Sequence, residues 1–226
     1  MIQVRIWDLP TRLFHWALAA LVIALIITGN VGGDAMVWHF RCGYSVLTLV
    51  IFRVCWGFVG GYWSRWRQLA CTPAELVKYF KSNNFFSLGH NPVGSVSVLA
   101  MLLFLSLQVA TGLFSDDEIS NAGPLTSLVS ERLVGMATQW HKSFGKLIIF
   151  FLVITHVLAI GWYFFKKKNN LIKAMVDGNK LSPEPAQSSN DQPRDWLKAL
   201  VILLFCAGLV YALIQSGAAP MLSALN

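Results

Sequence analysis

The sequence predicts an all-α integral membrane protein, a bundle of four transmembrane helices followed by a fifth, C-terminal one. Three observations carry that prediction. The 226-residue chain is 55% hydrophobic and only 13% charged, with a mean hydropathy of +0.56, whereas soluble domains carry about 25% charged residues. Five apolar runs are long enough to cross about 30 Å of hydrocarbon, which takes roughly 20 residues of helix. The basic residues also gather on one side of those runs, the bias that orients membrane helices.

The first span is Leu13–Gly29. Arg5 and Arg12 precede it as they would precede a secretory signal, but His15 and Trp16 interrupt the apolar stretch and no Ala-x-Ala site follows, so it reads as a retained helix. Asn30–Met36, with Gly32 and Gly33, makes a tight turn into the second span, Val37–Val59. Gly60–Asn91 is a basic, aromatic loop. Within it Thr72-Pro73-Ala74-Glu75 has a cap, a first-turn proline and a capping-box acid, which together predict a short interfacial helix over Pro73–Lys81. Asn91-Pro92 opens the third span, Val93–Phe114, in the same manner, and Ser115–Gln139 follows as a loop containing Asp116-Asp117-Glu118. The fourth span is His141–Phe165. Lys180–Asp195, rich in Pro, Ser, Gln and Asn, reads as a flexible linker to the fifth, Trp196–Gln215. The expected organisation is therefore a four-helix domain over residues 1–178, a cytoplasmic linker over 179–195, and an accessory helix and tail over 196–226.

With the N-terminus inside, 14 of the 18 Lys and Arg residues face the cytoplasm; only Arg41, Arg132, Lys142 and Lys146 do not. That asymmetry predicts a multi-pass membrane protein with a cytoplasmic N-terminus and, after five spans, a C-terminus on the opposite side. The nine tryptophans lie near span ends, where an aromatic belt meets the lipid headgroups. The net charge of +7 is thus accounted for by topology, and a nucleic-acid partner is not expected. Cys42, Cys55, Cys71 and Cys206 form no CxxC, and the absence of CxxCH excludes a covalently attached c-type haem.

Ionisable residues inside spans are costly and mark function. Four of the five histidines, His15, His39, His141 and His156, fall within spans. His141 and His156 are fifteen residues apart on one helix, a rise of roughly 22 Å with the side chains within about 60° of one face. The alternating direction of the helices sorts the four into two levels: His15 with His156 on the inner side, His39 with His141 on the outer. Each level offers two imidazoles from two helices. That is the arrangement for two non-covalent, bis-histidine haems, low-spin sites suited to electron transfer. Gly43 and Gly145, one turn after the outer histidines, are where a flat macrocycle could approach the backbone. Arg12 on the inside, and Arg41 and Lys142 on the outside, are either partners for haem propionates or residues snorkelling to the interface. His90, in Gly89-His90-Asn91-Pro92, is either a polar loop residue or a group with a quinone, propionate or proton role.

At this point the sequence resembles the bacterial cytochrome b561 family and the related b-type cytochrome subunits of nickel-iron hydrogenases. The resemblance rests on the stretch from Trp7-Asp8-Leu9-Pro10-Thr11-Arg12 to His15-Trp16, and on Trp38-His39-Phe40-Arg41-Cys42-Gly43-Tyr44. Gly89-His90-Asn91-Pro92-Val93-Gly94, Trp140-His141-Lys142 and Thr155-His156 continue it. It covers about residues 1–178 and implies a four-helix core with two b haems on those four histidines, passing electrons between quinone and a redox partner. The Asp8-Leu9-Pro10-Thr11 start looks more like members working with small periplasmic c-type cytochromes, which the acidic outer loop could dock. Two other readings stand beside this one: a superoxide-oxidising quinone reductase drawing its anion past Arg41, Lys142 and Lys146, and a membrane-anchor subunit of a hydrogenase-like complex. The fifth helix carries no histidine and departs from the four-helix pattern.

Overall fold

The computed structural model describes residues 1–81, 87–119 and 121–223, with side chains described through Gly217. In chain order the elements are β1 (Ile2–Arg5), α1 (Leu9–Val31), α2 (Met36–Val59), α3 (Trp66–Leu69), α4 (Pro73–Lys81), α5 (Pro92–Leu113), α6 (Glu131–Gln139), α7 (Lys146–Phe165), α8 (Leu171–Asp177), β2 (Asn179–Ser182) and α9 (Pro193–Ser223). Five helical stretches are long and apolar enough to cross a membrane: Leu9–Val31, Gly33–Val59, Pro92–Leu113, Glu131–Phe165 and Pro193–Gly217. Each predicted span falls on one of them, to within a residue at Phe114. The chain is an all-α, multi-pass membrane protein.

The predicted helix starts form as the sequence chemistry requires. Thr72 N–H donates to Glu75 Oε2 at 2.6 Å while Glu75 N–H donates to Thr72 Oγ1 at 3.2 Å, a reciprocal capping box at the start of α4. Gly94 N–H donates to Asn91 Oδ1 at 2.7 Å, capping α5.

Two expectations need correction. The loop expected over Ser115–Gln139 ends at Ser130, because α6 is already helical and runs through a π-helical turn, Trp140–Gly145, into α7. Its sequence, ERLVGMATQ, is too polar for a hydropathy window to count, yet it holds no proline and puts Glu131 in the first turn, where the helix dipole favours an acid. The segment expected to be a flexible linker is instead docked. β2 pairs antiparallel with β1, from Ile2 opposite Ser182 to Arg5 opposite Asn179. Beyond it, Arg5 N–H donates to Ser188 Oγ and Leu9 N–H donates to Asp191 Oδ1. A polar composition describes a solvated chain only where no backbone edge is available to pair with.

The chain divides into two compact units. Unit 1 comprises Met1–Trp16, Arg53–Leu102 and Leu152–Val201; unit 2 comprises Ala17–Phe52, Leu103–Phe151 and Ile202–Asn226. Unit 1 packs Val4, Ile6, Trp7 and Ala174 together with Trp63, Leu88, Met175 and Ala186. Unit 2 packs Val46, Val50, Leu105 and Val109 against Leu18, Leu21, Val22, Leu25, Leu47 and Ile149. Its core is aliphatic where that of unit 1 is mixed.

Candidate functional site

In unit 2, α2 carries His39 and the π-turn carries His141. Their ring centroids lie 6.2 Å apart with the planes at 89°. His141 Nδ1–H donates to the Gln108 carbonyl at 2.8 Å, and His39 Nδ1–H donates to the Leu25 carbonyl at 3.2 Å, with Thr28 Oγ1 also at 3.2 Å. A carbonyl can only accept, so each bond places the proton on Nδ1 and leaves Nε2 as a free lone-pair donor. The two seats share a second feature. Gly29 and Gly112 each stand four residues after the accepting carbonyl, and a Cβ there would come within 3.0 Å of His39 Cε1 and 2.8 Å of His141 Cε1, respectively. Helix α5 thus meets His141 through a carbonyl and a missing side chain, and α1 meets His39 in the same way.

The π-turn adds a further hold. Gln108 Nε2 donates to the His141 carbonyl at 2.9 Å, so one residue of α5 grips both the ring and the backbone of His141. Single π-turns within helices recur at functional sites because they re-aim one side chain. The two glycines expected to admit a macrocycle differ: a Cβ on Gly43 would meet nothing within 4 Å, whereas Gly145 is covered by Gln108 and the Trp140 ring. Only Gly43 is open.

In unit 1, α1 carries His15 and α7 carries His156, with ring centroids 6.3 Å apart and planes at 52°. His15 Nδ1 is buried with no hydrogen-bond partner among the described residues, and the Trp16 ring stands edge-on to it at 5.1 Å. Among the described residues no carbonyl seat comparable to those of unit 2 is found there. The charged groups of this unit lie near His90, which is within electrostatic reach of both rings. Arg53, buried within α2, has Nη1 unpartnered and its guanidinium 4.7 Å over the Trp66 ring. Asp8 is fully buried and accepts from Thr11 N at 2.8 Å, Ser64 Oγ at 2.9 Å, Gly61 N at 3.0 Å and Trp56 Nε1 at 3.3 Å. His90 lies against the Trp7 ring at 4.8 Å. Burial, then the nearby cations Lys180 and Arg53, push the His90 imidazole down to about 3, and burial pushes Lys180 down to about 8.

The cations singled out in the sequence take different places. Arg12 gives Nη1 to the Val176 carbonyl at 2.6 Å and sets Nη2 3.6 Å from Asp191, leaving Nε buried and without a partner. Arg41 is exposed and lies 5.0 Å over the Trp38 ring. Lys142 is exposed, and Lys146 Nζ donates to Asn30 Oδ1 at 2.7 Å. Arg53 and Lys180 entered the sequence reading only as topology markers. The signal that could have raised Arg53 is its position inside a span.

Two imidazoles on opposite sides of one metal ion, each bonded at about 2 Å with about 1 Å more to its ring centre, place the ring centres about 6 Å apart. Both pairs meet that spacing. Among the described residues no group of three or more His, Cys, Asp or Glu could hold a metal ion, so a metal between either pair needs equatorial ligands from another source. A porphyrin supplies four.

The family model for prokaryotic cytochrome b561 matches residues 6–178. The chain belongs to that family. It is accordingly a b-type cytochrome, a haem-binding membrane protein of electron transport. Similar curated proteins include the "Probable Ni/Fe-hydrogenase B-type cytochrome subunit" of Bradyrhizobium diazoefficiens, 22% identical over 78% of this chain and 85% of that protein. The protein of the same name from Azotobacter vinelandii is 24% identical over 77% of this chain and 87% of its own. "Probable Ni/Fe-hydrogenase 1 B-type cytochrome subunit" of Escherichia coli K12 is 22% identical over 47% of this chain and 57% of its own. No solved structure matches the chain.

Proposed function

We propose that this b-type cytochrome holds two haems, one between His15 and His156 and one between His39 and His141. It would carry electrons across the bacterial inner membrane between the quinone pool and a redox protein. The observation that carries the reading is the pair of ring spacings, 6.3 and 6.2 Å, each of which would suit two imidazoles on one metal ion. When bound, the haems supply reversible one-electron transfer with no open coordination position.

The protein's part is to fix the axial rings. In unit 2 the Leu25 and Gln108 carbonyls hold the tautomer that exposes Nε2 and strengthen the imidazole as a donor. In unit 1, Arg53 and Lys180 lie within electrostatic reach of His90, which in turn reaches both rings. The charge asymmetry of the loops supports a cytoplasmic N-terminus and a periplasmic C-terminus. The likeness to nickel-iron hydrogenase cytochrome subunits makes a hydrogenase the first redox partner to test. The acidic Asp116-Asp117-Glu118 loop supports a basic c-type cytochrome as the second, through charge complementarity that weakens with salt.

The test is a reduced-minus-oxidised spectrum with a pyridine haemochrome count on the detergent-purified protein. Two b haems per chain are expected. His15→Ala or His156→Ala leaves one, and His39→Ala or His141→Ala leaves the other, with a different midpoint potential. A count of one or none in the unaltered chain overturns the reading.

A further inference from the structure

We infer that Arg53, Lys180 and His90 form an anion pocket beside His15 and His156 that holds a carboxylate, supplied by a propionate of the haem on that pair. This deepens the dihaem reading and rests on it.

Arg53 is the first observation. It sits within a membrane-spanning helix, 5% exposed, with Nη1 buried and unpartnered and only the Trp66 ring against its plane. A buried charge in a span persists when something of opposite charge meets it. Asp8 lies within electrostatic reach of Arg53 but forms no ion pair with it, because its oxygens accept from Thr11 N, Ser64 Oγ, Gly61 N and Trp56 Nε1, and Arg53 Nη1 keeps no partner among the described residues. Among the described residues the ion pairs are those of Arg5 and Arg12 with Asp191, and none includes Arg53.

Lys180 is the second. It stands opposite Val4 in the β1–β2 ribbon. Cross-strand partners share a face, and Val4 is 3% exposed in the core of unit 1. The Lys180 ammonium therefore heads inward, and it makes no hydrogen bond to a described residue. Burial that pulls its pKa to about 8 is the mark of a cation lacking its anion.

His90 joins the two cations to the ring pair. It lies within electrostatic reach of Lys180, Arg53, His156 and His15, and its imidazole, tilted against the Trp7 ring at 4.8 Å, is held neutral and so still offers one N–H. A forked guanidinium, an ammonium and an imidazole N–H within reach of one another can together hold a carboxylate. A haem brings two carboxylates to whichever iron-binding pair it occupies.

The experiment is potentiometric titration, with haem counting, of the full-length holoprotein and its Arg53→Met, Lys180→Met and Arg53→Lys variants. His15→Ala identifies which of the two potentials belongs to the His15/His156 haem. Removing a buried positive charge beside that haem favours its ferric form. Arg53→Met and Lys180→Met are each expected to shift its ferrous-to-ferric ratio at fixed potential by roughly tenfold, leaving the other haem in place and unmoved. Arg53→Lys is expected to keep most of the unaltered value. Selective loss of the His15/His156 haem also supports the pocket. Both haems retained with both potentials unmoved overturns it, as does a shift confined to the His39/His141 haem. Failure of the dihaem reading is seen separately, as a count below two before any substitution, and takes the pocket with it.

Discussion

Both histidine pairs keep their rings at nearly one spacing, 6.2 Å in unit 2 and 6.3 Å in unit 1, yet what supports them differs in kind. Unit 2 seats each ring on a backbone carbonyl and a glycine. Unit 1 leaves His15 Nδ1 without a partner among the described residues, and places within electrostatic reach of both rings a histidine, His90, that is itself within reach of Arg53 and Lys180. A neutral dipole fixes orientation and ligand strength, whereas a buried charge shifts the energy of one oxidation state against the other. On the proposed dihaem reading, one site would be tuned by shape and the other by charge, so they should break under different substitutions.

The largest effect is expected from shape. Gly112→Ala puts a methyl 2.8 Å from His141 Cε1, and Gly29→Ala one 3.0 Å from His39 Cε1. Each ring is bonded to a carbonyl of the same helix that carries the glycine, so neither can retreat from the new methyl without losing its hydrogen bond. Gly112→Ala should cost the His39/His141 haem most of its occupancy. Gly29→Ala, with the slightly wider clearance and the longer 3.2 Å bond, should retain it with an altered low-spin electron paramagnetic resonance signal. The His15/His156 haem should stay intact in both. Equal loss of the two haems in Gly112→Ala would erase the distinction between the sites.

These seats show where sequence reading stops. The histidines were legible because an imidazole inside a span is rare and needs a reason, and the spans because lipid demands long apolar runs. Leu25 was not, since what it contributes is a main-chain carbonyl and no residue type announces it; Gln108, whose side chain also holds the His141 carbonyl, was visible only as a polar residue inside a span. Gly29 and Gly112 looked like any small residue in a membrane helix, while Gly145, singled out for its distance from His141, proves to be filled by Gln108 and Trp140. The π-turn has no sequence signature here, and it shifts the register on which every distance from His141 depends. In unit 1, Arg53 and Lys180 were visible as charges but were read as markers of sidedness. Four-residue strands such as IQVR and NKLS are too short for alternation to separate from loop, so the pairing that turns Lys180 inward was hidden too.

The next effect is one of stability, confined to unit 1. Asp8→Ala strips the acceptor from Thr11 N–H, Gly61 N–H, Ser64 Oγ and Trp56 Nε1 at once. Each buried donor left unpaired costs about 1–3 kcal/mol, so a total of several kcal/mol and a clearly lower thermal midpoint are expected. Asp8→Asn should be milder, since its carbonyl can still serve two of these donors. Heating the Asp8→Ala variant should bleach the His15/His156 haem before the other. Simultaneous loss of both would mean that the Asp8 network supports the whole chain rather than one site.

The smallest effect is a pH dependence that traces to His90 in unit 1. His90 is held down to about 3 by burial first, then by Lys180 and Arg53, against about 6.5 in an unfolded chain. The unfolded state therefore binds the extra proton between those values and the folded state does not. Stability from this group is complete above pH 6.5 and is lost as pH falls, by up to about 1.4 kcal/mol per unit. His90→Gln removes the titration. The thermal midpoint of the unaltered protein should drop more steeply than that of His90→Gln between pH 7 and pH 5, and the two curves should run parallel above pH 7. A carboxylate seated among Arg53, Lys180 and His90 would raise the folded-state value of His90 towards 6.5, because it favours the imidazolium that the two cations oppose. The pH slope should consequently be shallower with the His15/His156 haem bound than after its removal. A slope that is the same in both states would leave His90 a buried neutral ring with no anion beside it.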